Sequence, residues 1–301
     1  VINGIRSAVE SWRRLPESQW QVTPSTARLL RHWRNHEFAN QRPFFCQVEA
    51  VETVIWLTEV APKSSAQGRR FWTHLEAANA ASNPELLRMA LKLATGAGKT
   101  TVMAMLIAWQ TVNAVRHGKK WASRGFLIVT PGITIKDRLR VLQPNDPDSY
   151  YRDRELVPED MLPDLGRAKI VITNYHAFKK KDEVPLNKVQ QAALKTKPKP
   201  ESDGAMIRRV APSLMGLKNI VVLNDEAHHC YRERPLTEEE QKALKGDELA
   251  EAKENNEAAR LWISGLEAVK RELGINMVYD LSATPFFLRG SGYREGSLFG
   301  W

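Results

Sequence analysis

The seven residues Ala94-Thr95-Gly96-Ala97-Gly98-Lys99-Thr100 carry the densest chemistry in the chain. They follow a short apolar run and precede an apolar helical pattern from Thr101 to Val115. Gly96 and Gly98 tolerate left-handed backbone angles, which lets successive N–H groups close around phosphate oxygens, and the helix N-terminus adds a favourable dipole. In such a loop Thr95, Ala97 and Thr101 complete the cradle. Lys99 reaches the β- and γ-phosphates of a nucleotide, and the Thr100 hydroxyl suits a magnesium ion. The strict motif has Gly where this chain has Leu93. The plain alternative is a glycine-rich turn that happens to precede Lys-Thr.

A second candidate is Ile220-Val221-Val222-Leu223-Asn224-Asp225-Glu226-Ala227-His228, an apolar strand delivering two adjacent carboxylates at its carboxyl end. Phosphoryl transfer needs positioned charge more than covalent chemistry, so one carboxylate can hold the metal and the next the attacking water. Asp225 suits the first role and Glu226 the second. The alternative is a solvated acidic pair stabilising a helix N-terminus. Together with the phosphate loop, the pair reads as catalytic. His229 and Cys230 read as structural, because adjacent residues at a helix start point apart and no second pair stands at zinc-ligand spacing.

These groups need a scaffold that brings distant segments together. From Leu86 onward short β-rich runs alternate with helical stretches, the pattern of an α/β fold with a mostly parallel sheet covered on both faces. The expected strands are Arg88 to Leu93, Phe126 to Thr130, Lys169 to Thr173, Asn219 to Asn224 and Asn276 to Leu281. Ligands bind outside the carboxyl ends of such strands, so five loops should converge on one crevice. Upstream, helices are expected around Gly4 to Arg14, Ser25 to Glu37 and Arg70 to Ala81. A stronger helix should follow Pro43, with Phe45, Val48, Val51, Ile55 and Trp56 at helical spacing. Residues 1–41 thus read as an N-terminal helical appendage and 42–301 as the α/β domain. Two insertions interrupt that domain: the Lys- and Pro-rich stretch Lys179 to Ser202, and Thr237 to Leu273, largely helical, with Thr237 and Glu240 as a candidate capping box.

The chain has 301 residues, 43% hydrophobic and 26% charged, which places it among globular proteins. Its formal charge of +9 favours a polyanionic partner, because each neutralised phosphate releases counterions. Val102 to Trp109, the longest apolar run, falls far short of the roughly 20 residues a membrane span needs. With no signal-peptide pattern and only Cys46 and Cys230 as thiols, a cytoplasmic location and no membrane partner are expected.

Three ordered motifs, the Ala94 to Thr100 loop, the Asp-Glu-Ala-His box at Asp225 to His228 and Ser282-Ala283-Thr284-Pro285, resemble those of superfamily-two helicases and translocases over roughly Arg42 to Pro285. The resemblance implies a RecA-like P-loop NTPase domain using ATP and magnesium. It also implies nucleic-acid contacts at Val129-Thr130-Pro131-Gly132 and Ile172-Thr173-Asn174-Tyr175, and coupling of hydrolysis to movement through His228, Ser282 and Thr284. In that family the strand leading to Ser282 lies between those of the phosphate loop and the Asp-Glu box. The ordinary alternative for the Ser and Thr is local capping.

Within the superfamily, Asn224 to Glu233, Ile172 to Phe178 and Arg42-Pro43-Phe44-Phe45-Cys46-Gln47 look most like restriction subunits of type III systems. That family implies ATP-dependent translocation on double-stranded DNA coupled to cleavage, and a DNA methyltransferase (modification) subunit as partner. Gln47 would match the glutamine that reads the adenine edge; otherwise it is an exposed polar position on an amphipathic helix. The chain departs from the family in length. It ends shortly after Pro285, before a second RecA-like domain with its arginine finger or a nuclease domain, so weak turnover and no unwinding are expected of this segment alone. Two rivals are an RNA helicase of the Asp-Glu-Ala-His type and a nucleic-acid-binding module whose nucleotide site is only a latch.

Overall fold

The computed structural model describes residues 1–64, 66–132, 134–181, 201–231 and 247–283. Helices α1 (Ile2–Arg13), α2 (Pro24–Asn35), α3 (Phe45–Ile55) and α4 (Ala66–Ser82) precede strand β1 (Arg88–Lys92). Helix α5 (Lys99–His117) leads to β2 (Gly125–Thr130). The short helices α6 (Thr134–Arg138), α7 (Tyr150–Asp153) and α8 (Leu162–Leu165) fill the connection to β3 (Lys169–Asn174). Helix α9 (Asp203–Val210), β4 (Ile220–Asp225), α10 (Asp247–Leu273) and β5 (Ile275–Ser282) complete the described chain. All five expected strands are present, displaced by at most a residue at each end. The expected capping box at Thr237 and Glu240, most of the Lys-rich insertion, and Thr284 and Pro285 lie outside the described residues.

The sheet is parallel throughout, in the order β1-β5-β4-β2-β3. Strands buried on both faces must be apolar at successive positions rather than alternating, and Phe126, Leu127, Ile128 and Val129 of β2 and Ile220 to Leu223 of β4 are of that kind. One hydrophobic cluster lies on the face covered by α1 to α5 and the other on the face covered by α9 and α10, giving helix, sheet, helix layers. This is the RecA-like α/β architecture.

Helix α5 is buried on every side from Thr101 to Asn113, so it serves as the central core helix rather than an amphipathic cover. Its Trp109 and Asn113 bond to groups of α2 and the segment after α3. Glu59 accepts from Thr23 N at 2.9 Å, Thr26 Oγ1 at 2.6 Å and Trp109 Nε1 at 2.9 Å, and Asn113 Nδ2 donates to Thr26 Oγ1 at 2.9 Å. Helix α2 starts where Thr23 caps it, its hydroxyl accepting from Thr26 N, with Pro24 in the first turn. Leu29, Leu30 and Trp33 of α2 and Val9 and Trp12 of α1 belong to the same core cluster as α5. The first helices therefore pack directly against the motif-bearing layer.

Candidate active site

The sheet register brings the motif-bearing strand ends together. Lys92 pairs with Ser282, and Asp225 with Leu281, so the phosphate loop, the end of β5 and the Asp-Glu pair open from three adjacent strands. Strand β5 lies between the other two, as the family resemblance implied. Leu93 N donates to Ser282 O at 2.9 Å, tying the start of the loop to β5.

Within the loop Gly96 has φ +79° and Gly98 φ +77°, angles that cost an L-residue about 1–2 kcal/mol. A side chain on Gly96 would meet open space, whereas one on Gly98 would overlap Nε2 of Gln47. Gly98 is thus required both for its backbone angle and for close approach. It caps α5, accepting from Thr101 N at 2.9 Å.

Gln47 is only 3% exposed, so the alternative of an exposed helix position does not describe it. Its Oε1 accepts from Phe44 N at 2.9 Å, supplying the side-chain half of a capping box for α3. Its Nε2 donates to Ala97 O at 2.8 Å and so grips the phosphate loop from behind. Phe44 and Phe45 beside it remain exposed.

Asp225 closes β4 and is 8% exposed. Burial, followed by the negative charge of Glu226, pushes its carboxyl pKa up; Lys99, the Glu226 N–H and Arg138 act in the opposite direction. Asp225 Oδ1 accepts from Glu226 N at 3.1 Å. Glu226 then turns the chain with φ +47°, a left-handed conformation that persists only when its surroundings hold it. The turn runs into a 3-10 segment, Ala227–His229, rather than an α-helix, which removes the solvated helix-terminus alternative for the acidic pair.

Two contacts close the cluster. Lys99 Nζ lies 2.7 Å from Glu226 Oε1, and His228 Nδ1 lies 2.9 Å from Ser282 Oγ and 3.6 Å from Glu226 Oε2. Burial, and then the neighbouring His229, push the His228 pKa down to about 4. The ring is therefore neutral near pH 7 and acts by hydrogen bonding, not as a cation. A hard cation fits the donor set: Asp225 offers a desolvated carboxylate whose pKa is already raised by a second carboxylate, and Thr100 offers a hydroxyl beside Lys99.

The residues proposed for nucleic acid lie at the carboxyl ends of β2 and β3, which pair in register through Thr130 and Asn174, while β2 also pairs with β4 through Val129 and Asn224. Thr130 is buried, with Oγ1 donating to Gly132 O at 2.9 Å, and Thr173 is buried, with Oγ1 donating to Asn174 O at 3.3 Å. Both hydroxyls shape their loops. Pro131, Gly132 and Asn174 are partly exposed.

Two arrangements went unread in the sequence. Arg88 Nε donates to Asp280 Oδ2 at 2.7 Å and its Nη2 to Cys230 O at 2.7 Å, while Asn224 Nδ2 donates to Asp280 Oδ1 at 2.7 Å and Trp262 Nε1 to Asn224 Oδ1 at 3.1 Å. This buried network ties β1, β5, β4 and α10 to the end of the Glu226 turn. Its one sequence signal is a charged residue inside each of two apolar strands. The other is Arg154, which has no motif and reaches Thr101 from the β2–β3 connection.

Compared with known protein families, the chain matches the family described as type III restriction enzyme, res subunit, over residues 42–287. Comparison with curated proteins and with solved structures returns no match. Among the described residues no helix is long and apolar enough to cross a membrane.

Proposed function

The chain belongs to the type III restriction enzyme res-subunit family, helicase-like superfamily-two motors, and from that premise we propose that it hydrolyses ATP to drive translocation on double-stranded DNA. The observation that carries the reading is the 2.7 Å contact between Lys99 Nζ and Glu226 Oε1, with Ser282 and His228 bridging the strand between them. The contact supports the reading because it joins residues distant in sequence beside a glycine loop, and phosphoryl transfer needs a phosphate-binding lysine and a water-orienting carboxylate close together.

In this reading Lys99 holds the β- and γ-phosphates, with the loop from Thr95 to Gly98 and Thr101 around the chain of phosphates. Gln47 stands at the adenine side. Thr100 and Asp225 hold magnesium, which supplies positive charge to the phosphate oxygens. Glu226 orients a water in line with the γ-phosphate and takes its proton as the new P–O bond forms and the bond to the bridging oxygen breaks. His228, through Ser282, carries the change at Glu226 to β5 and the Thr284 segment beyond it. Thr130, Pro131, Gly132, Thr173 and Asn174 set the DNA-facing loops, the two threonines by shaping backbone. Coupling to cleavage, a second RecA-like domain and a methyltransferase subunit as partner are proposals that follow from family membership; a cytoplasmic location is proposed from the apolar pattern of the sequence.

The test is nucleotide binding by calorimetry. Lys99→Ala should weaken ATP affinity by about ten-fold or more, the effect of losing hydrogen bonds to a charged group. Equal affinity of parent and variant would remove the phosphate-loop reading.

A further inference from the structure

Among the described residues, most arginines in long-range contacts end on carboxylates: Arg28 on Asp160, Arg31 on Glu17, Arg34 on Glu52, Arg116 on Asp164 and Arg271 on Asp203. Arg154 differs. Its Nη1 donates to Thr101 Oγ1 at 2.9 Å, and its guanidinium carbon lies 3.7 Å from the centre of the Tyr150 ring. No acidic side chain among the described residues lies within ion-pair distance of it. A partly buried guanidinium held against a ring and a hydroxyl retains most of its charge for another acceptor.

Thr101 is the third residue of α5 and is buried. Its hydroxyl can accept from Arg154 and still has one proton to donate. The contacts around the phosphate loop divide into two groups. Lys99 is drawn toward Glu226 and the end of β4. The Gln47 amide and the Thr101 hydroxyl instead converge on Gly98, where both approach the position a Cβ would occupy. Arg154 joins this second group. Its backbone is fixed as the cap that follows the one-turn helix α7: its own N–H bonds Tyr150 O at 3.1 Å, and the next residue but one, Leu156, bonds Tyr151 O at 3.2 Å.

Resting on the ATP reading above, we propose that Arg154 is a further nucleotide-binding residue that places a positive charge on the Gln47 flank of the phosphate loop, at the α-phosphate of a nucleoside di- or triphosphate. The chemistry follows from position. Lys99 serves the end of the ligand that is hydrolysed, whereas a cation joined to Thr101 and grouped with Gln47 serves the end that ATP and ADP share. Helix dipole and loop N–H groups alone leave that end without a full charge.

The experiment measures ATP and ADP affinity, each with magnesium, by calorimetry on the parent protein, Arg154→Gln, Arg154→Lys and Lys99→Ala, with thermal melting alongside. Arg154→Gln is expected to weaken ATP and ADP by the same factor, about ten-fold, with an unchanged melting temperature. Arg154→Lys should recover part of the loss, since it keeps the charge and loses the fork. Lys99→Ala should penalise ATP more than ADP. Parent-like affinity of Arg154→Gln for both nucleotides overturns the proposal, as does a loss that appears only together with a lowered melting temperature. A parent protein that binds neither nucleotide overturns the ATP reading itself, which is a different result.

Discussion

Replacing Glu226 by Gln should move binding and hydrolysis in opposite directions. Lys99 pairs with Glu226, with the two side chains 15% and 31% exposed. An incoming phosphate must displace that carboxylate. Exposed ion pairs contribute roughly 0.2–1 kcal/mol, and this one, half-sheltered, belongs near the upper end, about 1 kcal/mol. Removing it also removes a negative charge that would face the γ-phosphate. Glu226→Gln should therefore bind ATP about two- to five-fold more tightly. The same change removes the group that accepts the water's proton, which should lower hydrolysis by about 10²–10⁴-fold. The amide can keep the left-handed turn at φ +47°, so the fold should lose no more than the roughly 1 kcal/mol of the ion pair. Calorimetry with ATP and magnesium gives the first quantity; phosphate release in the presence of duplex DNA gives the second. Unchanged hydrolysis would take Glu226 out of its proposed role. Weaker ATP binding would show that the Lys99–Glu226 contact does not compete with phosphate.

Two further predictions concern the buried polar groups that support the site. Arg88→Met should destabilise the fold by about 3–5 kcal/mol in chemical denaturation, because Asp280 is left buried without its cation; replacing Asp280 by Leu in the same chain should restore part of that loss, and a single-variant cost near zero would remove the network from the scaffold. Glu59 has its pKa raised by burial, which outweighs its three donors, so its contribution to stability is fully present below the unfolded value near 4.5 and is lost as pH rises through the folded value. The melting temperature of the parent minus that of Glu59→Gln should therefore fall as pH rises from the mid-fours, and parallel curves would show that Glu59 does not titrate differently in the fold.

Much of the architecture was legible because its signals are local. Each strand of a doubly covered parallel sheet is a short apolar run, and each ends in small or polar residues, so five strands and the loops at their carboxyl ends could be placed from the sequence. The proposed site residues Lys99, Thr100, Asp225 and Glu226 were picked out for the same reason: Gly96 and Gly98 beside Lys-Thr, and an acidic pair after Leu223-Asn224, are contiguous patterns. The burial of Gln47 was not legible. On α3 the sequence offered it as an adenine-reading glutamine or, alternatively, an exposed polar position, and only the packing of α3 against Ala97 turns its amide into a support for the loop.

What the sequence by itself determined is the set of groups and the strand ends that carry them, since backbone propensity and hydrophobic period act over a few residues. The tertiary structure decided which of those groups meet. Strand order places β5 between β1 and β4, so Ser282 and His228 fall beside Glu226, while β2 and then β3 carry Thr130 and Asn174 outward from the other side of β4. Packing also decided the fate of the unpatterned charges. Arg88 finds Asp280 across 192 residues, and Arg154 finds Thr101 across 53, because a buried or half-buried guanidinium needs an acceptor and only the folded chain determines which one is near.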